Sequence, residues 1–171
     1  MLHMKYIVAN WKMSLNLAQI VAWLDIFFKL TPTVAEDKTI ILAPSAPYLG
    51  LLAELTKDKP FKLAAQNISA LEVGAHTGET GVFQIKDFCS FAIVGHSELK
   101  EPFELTLKKR DLCLEIGVTP IVCFVPPENG ATAHKKDTIL AWEDPGNISV
   151  NGNYRAKPVG ELEKGVNQIR N

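Results

Sequence analysis

Residues with useful chemistry each stand just past a short apolar run. Asn10 and Lys12 follow Tyr6-Ile7-Val8, His96 follows Phe91-Ala92-Ile93-Val94, and Glu143 follows Ile139-Leu140-Ala141-Trp142. A carboxylate and an imidazole are side chains of general acid–base work, and a lysine supplies local positive charge. The densest of these sites is Val94-Gly95-His96-Ser97-Glu98, where the glycine lets the backbone turn sharply and a histidine and a carboxylate emerge together. Bland alternatives stand beside each residue. A lone histidine after a strand is more often structural, Glu143 reads equally as a solvated loop acid, and Lys12 as a surface lysine behind an aromatic anchor.

The elements that must position these residues alternate. Strands are expected over 6–9, 39–43, 61–65, 91–94, 120–124 and 138–142, as short apolar runs of buried-strand type. Helices are expected over 16–30, with Leu17, Ile20, Val21, Leu24 and Phe28 at helical spacing, and over 48–55, 102–116 and 159–169. Pro102 suits a first helical turn and Gly117 a helix stop. A long loop is expected from Gln66 to Gly81, and a loop in place of a helix from Val125 to Asp137. Strands separated by helices imply parallel pairing and right-handed crossovers. Both a closed barrel and an open doubly wound sheet satisfy that pattern. Asn10-Trp11-Lys12 stands where a dinucleotide-binding sheet would carry its glycine-rich turn, which disfavours the open sheet.

Composition sets outer limits. The chain has 171 residues, 47% hydrophobic and 22% charged, with a formal net charge of −1. That suffices for one good core, so a single domain over residues 1–171 is expected. No large basic field invites nucleic acid, although a phosphate-sized ligand needs only local positive charge. Cys89, Cys113 and Cys123 are odd in number without CxxC spacing, so neither a disulfide nor a metal site is expected and a reducing cytoplasm is. A strand begins within about five residues of the first, leaving no expected room for a signal peptide. No apolar stretch approaches the ~18 residues of a membrane span, so no membrane partner is expected.

Asn and Lys, then His, then Glu, each closing a separate strand in that order, resembles the triosephosphate isomerase family. The resemblance runs from Ala9-Asn10-Trp11-Lys12-Met13 through Gly95-His96-Ser97-Glu98 to Glu143 and weakens beyond it. It implies an α/β fold of the (β/α) TIM-barrel type. About six parallel strands are recognisable, against ~250 residues for a complete eight-unit barrel, and the seventh and eighth units have no expected counterpart here. It also implies the activity: interconversion of dihydroxyacetone phosphate and glyceraldehyde 3-phosphate by proton transfer through an enediol(ate), in glycolysis and gluconeogenesis, without a cofactor.

The resemblance, not the spacing, implies the roles. Glu143 matches the base and His96 a neutral electrophile that polarises the carbonyl, kept neutral by the dipole of a following helix. Lys12 matches the cation that attracts phosphate and steadies the enediolate oxygen, with Asn10 a polar partner in the same pocket. Glu98 matches a second glutamate that pairs with the lysine. Gln66-Asn67 and the segment Gly74-Ala75-His76-Thr77-Gly78-Glu79 resemble a loop that enters a neighbouring subunit, with Thr77 at its tip, so a homodimer is expected. His76 stands where an aromatic is common. Cys123 matches a structural strand-five cysteine, while His3 and His134 carry no pattern.

The pattern departs after Glu143. Asp144-Pro145-Gly146-Asn147-Ile148-Ser149-Val150-Asn151-Gly152 has its proline displaced by one and lacks the lid's tryptophan. Ile148 and Ser149 are assigned to substrate binding as remnants of the lid tip. Leu99-Lys100 replaces an arginine that usually supports the histidine turn. With the later phosphate loops unmatched, weak turnover is expected. Two further readings stay open: a non-catalytic relative with a defective phosphate site, and a barrel enzyme acting on another phosphorylated sugar.

Overall fold

A computed structural model describes residues 4–125, 130–147 and 158–170. Six strands, β1 (Lys5–Asn10), β2 (Lys38–Ala43), β3 (Phe61–Ala65), β4 (Phe91–Val94), β5 (Thr119–Phe124) and β6 (Ile139–Trp142), form one sheet in chain order. Every neighbouring pair is parallel. Sequential order removes the doubly wound alternative, which requires the order to reverse within the sheet.

The two faces of the sheet differ. Leu42, Leu63, Ala65, Ala92, Val94 and Val122 pack with buried residues of the helices, among them Ile20, Leu24, Leu52 and Cys113. Alternate positions Ile41, Ala43, Ala64, Ile93, Ile121 and Cys123 form a second buried cluster that contains no helical residue. Alternation at period two sends successive side chains to opposite faces, so the helices that contribute to the first cluster cover one face, and among the described residues the second cluster is lined by strands alone. Tyr6 on β1 and Phe91 on β4 meet edge to face at 6.4 Å between centroids. Strands that are not neighbours meet there because the sheet curls, as a half-barrel of the TIM type.

The helices are α1 (Leu17–Leu30), α2 (Leu49–Thr56), α3 (Val82–Ile85), α4 (Phe103–Ile116), α5 (Gly130–Ala133) and α6 (Val159–Arg170). Asn16 and Pro102 cap α1 and α4 from outside rather than opening them. Asn16 Oδ1 accepts the Gln19 backbone N–H at 3.0 Å while Gln19 Oε1 accepts that of Asn16 at 2.9 Å, a reciprocal cap that satisfies two otherwise orphaned donors. Gly117 stops α4 in the left-handed region, φ +80°. The segment expected as a loop from Val125 to Asp137 contains the one-turn helix α5, and the long loop after β3 leads into another, α3. Four residues are too few for periodicity to declare a helix. Tertiary bonds secure α5: Arg110, buried on α4, donates from Nη1 to the carbonyls of Thr132 and Ala133 at 2.7 and 3.1 Å.

Candidate active site

The carboxyl ends of β1, β4 and β6 carry Lys12, His96 and Glu143. At β1 the turn is built from its own side chain: Asn10 Oδ1 accepts the Lys12 backbone N–H at 3.0 Å. Lys12 has φ +50°, a left-handed conformation that costs a non-glycine residue ~1 kcal/mol or more. Neighbouring loops hold it there. The Lys12 carbonyl accepts from Ser45 Oγ at 2.7 Å and from Gln66 Nε2 at 3.1 Å, and Gln66 Nε2 also donates to the Ala43 carbonyl at 2.8 Å. Trp11 packs edge to face on Trp23 of α1 at 5.0 Å, and Trp23 stacks on Phe27 at 4.4 Å. The lysine thus stands on a turn fixed at both its backbone and its neighbour's ring.

Lys12 Nζ donates to Glu98 Oε1 at 2.7 Å, with the two side chains 46% and 50% exposed. That hydrogen bond, outweighing partial burial, holds the Glu98 carboxyl below the ordinary carboxylate range.

At β4 the turn depends on Gly95, φ +74°, where an added Cβ would overlap Thr106 Cγ2 and lie 3.0 Å from the Cys123 carbonyl oxygen. His96 follows, and its Nδ1 accepts the Glu98 backbone N–H at 3.2 Å. A nitrogen that accepts carries no proton, so the ring's hydrogen sits on Nε2. Nε2 faces Glu143 Oε1 at 3.7 Å. The helix expected directly after His96 is not there. A single three-residue 3₁₀ turn, Ser97–Leu99, follows His96, and α4 begins only at Phe103.

At β6 the ladder runs one residue past the strand: Glu143 N–H donates to the Phe124 carbonyl at 2.9 Å. The Glu143 carboxylate accepts two hydrogen bonds from one residue, the Ser97 backbone N–H at 2.8 Å and Ser97 Oγ at 2.7 Å. His96 and Glu143 side chains are 18% and 17% exposed. A cleft of about 180 Å³, lined by His96, Ser97, Thr106 and Cys123 among others, opens beside them. Burial, with Glu143's charge second, pushes the Cys123 thiol up to about 12, so at neutral pH it is a packed and unreactive thiol.

The structure therefore joins Lys12, Glu98, His96 and Glu143 into one chain of contacts and orients Asn10 under the lysine turn. Thr77 is exposed in the loop after β3 and belongs to none of these contacts. Ile148 and Ser149 lie outside the described residues, as does Gly152. Ser97, Ser45 and Gln66 do positioning work that the sequence did not announce. Ser97 had a signal in its place beside the histidine, and Gln66 stood in a segment the resemblance had marked for another role. Among the described residues, no group of three or more His, Cys, Asp or Glu side chains could hold a metal ion.

Comparison with known proteins fits this geometry. Residues 5–144 match the triosephosphate isomerase family profile. The triosephosphate isomerase of Dictyoglomus thermophilum is 36% identical over 124 residues, covering 70% of this chain and 49% of that protein. Those of Polynucleobacter asymbioticus and Aquifex aeolicus are 32% and 33% identical, covering 80% and 70% of this chain and 56% and 50% of theirs. The chain spans about half the length of the curated relatives it matches.

Proposed function

The chain belongs to the triosephosphate isomerase family, and on that footing we propose that it interconverts dihydroxyacetone phosphate and glyceraldehyde 3-phosphate. The observation that carries this reading is the unbroken contact chain Lys12–Glu98–His96–Glu143 across three strand ends. Glu143 takes the proton from the carbon next to the carbonyl, and the electron pair moves into the carbonyl to give an enediolate. His96 gives its Nε2 proton to the oxygen that gains charge and takes one back from the neighbouring hydroxyl, which becomes the new carbonyl as the proton on Glu143 is delivered to the adjacent carbon. Lys12 attracts the phosphate and steadies the enediolate. To reach a carbon acid, Glu143 must give up hydrogen bonding to Ser97.

The same reading carries a cytoplasmic location, a place in glycolysis and gluconeogenesis, and a homodimer built through the loop that bears Thr77. It leaves Ile148 and Ser149 as substrate contacts. A coupled isomerase assay on the purified chain tests the activity, with Glu143→Asp as control against a contaminating host enzyme. Shortening the base displaces it by about 1 Å and is expected to cost ~100-fold. Identical rates for both proteins would reject the assignment and favour a non-catalytic relative. Sedimentation at micromolar concentration tests the dimer, and a monomer would reject it.

A further inference from the structure

Behind the histidine turn lies a buried ion pair that the reaction does not use. Glu101 Oε2 accepts from Lys109 Nζ at 2.5 Å, with side chains 10% and 5% exposed. The other carboxylate oxygen, Oε1, accepts the Gly95 backbone N–H at 3.2 Å. Lys109 Nζ also donates to Asn67 Oδ1 at 2.9 Å, in the loop after β3. Three segments therefore converge on the amide that precedes His96: the β4 end, the amino-terminal half of α4, and the β3 loop.

A buried ion pair is weak grounds for stability, since well-packed apolar residues of similar size often serve as well or better. Placement is what singles this pair out. Gly95 already sits in the left-handed region with no room for a side chain, and its N–H lies just past β4, which ends at Val94. Glu101 supplies an acceptor for it, and Lys109 fixes the carboxylate so that Oε1 stays turned toward Gly95. Leu99 stands where an arginine support was expected, and this pair approaches the turn from the α4 side instead.

We infer that Glu101 and Lys109 are positioning residues for His96: they set the Gly95 turn and thereby aim the imidazole at Glu143. The inference rests on the proposed isomerase reading only for its turnover readout, because two of its three readouts need no substrate. The test compares the full chain with Glu101→Leu/Lys109→Met, which removes both charges and the acceptor while keeping bulk. It adds Glu101→Gln/Lys109→Met, which removes the charges but restores an acceptor for Gly95. Amide exchange at Gly95 and the ¹⁵N spectrum of the His96 ring are read on all three. The first variant is expected to fold, to exchange Gly95 about 10-fold faster, and to lose the bare-Nδ1 signature of His96. The second is expected to move both back toward wild type. If turnover is present, kcat falls about 10-fold in the first variant while KM changes less than about 2-fold. A folded first variant with wild-type Gly95 exchange and an unchanged imidazole spectrum overturns the inference. Should that variant not fold, Asn67→Ala removes only the outer bond to Lys109. It is expected to shift the same two readouts in the same direction, by less, and no shift there overturns the inference equally. If turnover is lacking while both spectral changes appear, the isomerase reading fails and the positioning role stands.

Discussion

The two ends of the contact chain live in different surroundings. Lys12 and Glu98 are half exposed, whereas His96 and Glu143 are each less than one-fifth exposed. An ion pair in water is worth little to folding, with a median near 0–1 kcal/mol, so the Lys12–Glu98 pair is poor structural cement. It is well placed for capture. An exposed ammonium attracts an anion from solution, and its partner carboxylate can be displaced at small cost. The His96–Glu143 end is shielded and satisfied, as proton transfer requires. On the proposed reading one site thus divides into a wet entrance and a drier reaction centre, and each can be attacked separately.

The largest effect is expected at the drier end. Glu143→Gln keeps size and removes the base, and kcat should fall by ~10²–10⁴-fold with KM little changed, as read by steady-state kinetics. Lys12→Met comes next. Losing the cation should raise KM and lower kcat together, by ~10²-fold in kcat/KM. The wild-type KM should rise with ionic strength, whereas that of Lys12→Met should not, because an exposed charge is screened. If the salt dependence survives in Lys12→Met, capture resides elsewhere.

Ser97→Ala sharpens the comparison further. It removes the hydroxyl donor to Glu143 but keeps the backbone N–H bond, so the effect should be about 10-fold in kcat. Urea denaturation should show a loss of ~1–1.5 kcal/mol. The smallest effect belongs to Glu98. Its carboxyl is held below the ordinary range by Lys12, so its contribution to stability is present above the unfolded carboxylate pKa and lost as pH falls through the folded value. Exposure keeps that contribution small. Comparing urea stability of wild type and Glu98→Gln at neutral and acid pH should give a difference under about 1 kcal/mol that vanishes in acid. A larger difference would mean that the entrance is structural after all.

Much of this was legible because strand ends announce themselves. An apolar run such as Phe91–Val94 followed by Gly95 predicts both a buried strand and the turn that presents His96, and the strand bounds fell within one residue of those observed. Six strands in sequential order were expected and found. What escaped depends on contacts between distant segments. Ser45 and Gln66 are ordinary loop residues until their side chains meet at the Lys12 carbonyl. Lys109 reads as one more charged residue in Lys108-Lys109-Arg110, yet it and Arg110 are buried while Lys108 is exposed. Charge runs usually mark a solvated face, and only the fold reveals which members turn inward. The contact between the Glu98 backbone N–H and His96 Nδ1 depends on the local turn that follows the histidine, where the sequence reading placed a helix.

The central claim is that Glu143 and His96 move a carbon-bound proton. The direct measurement incubates the chain with dihydroxyacetone phosphate in deuterated water and follows loss of the carbon-bound proton signal by NMR. Wild type should exchange that proton for deuterium while Glu143→Gln should not. Equal exchange by both proteins, or none by wild type above the uncatalysed rate, would contradict the account.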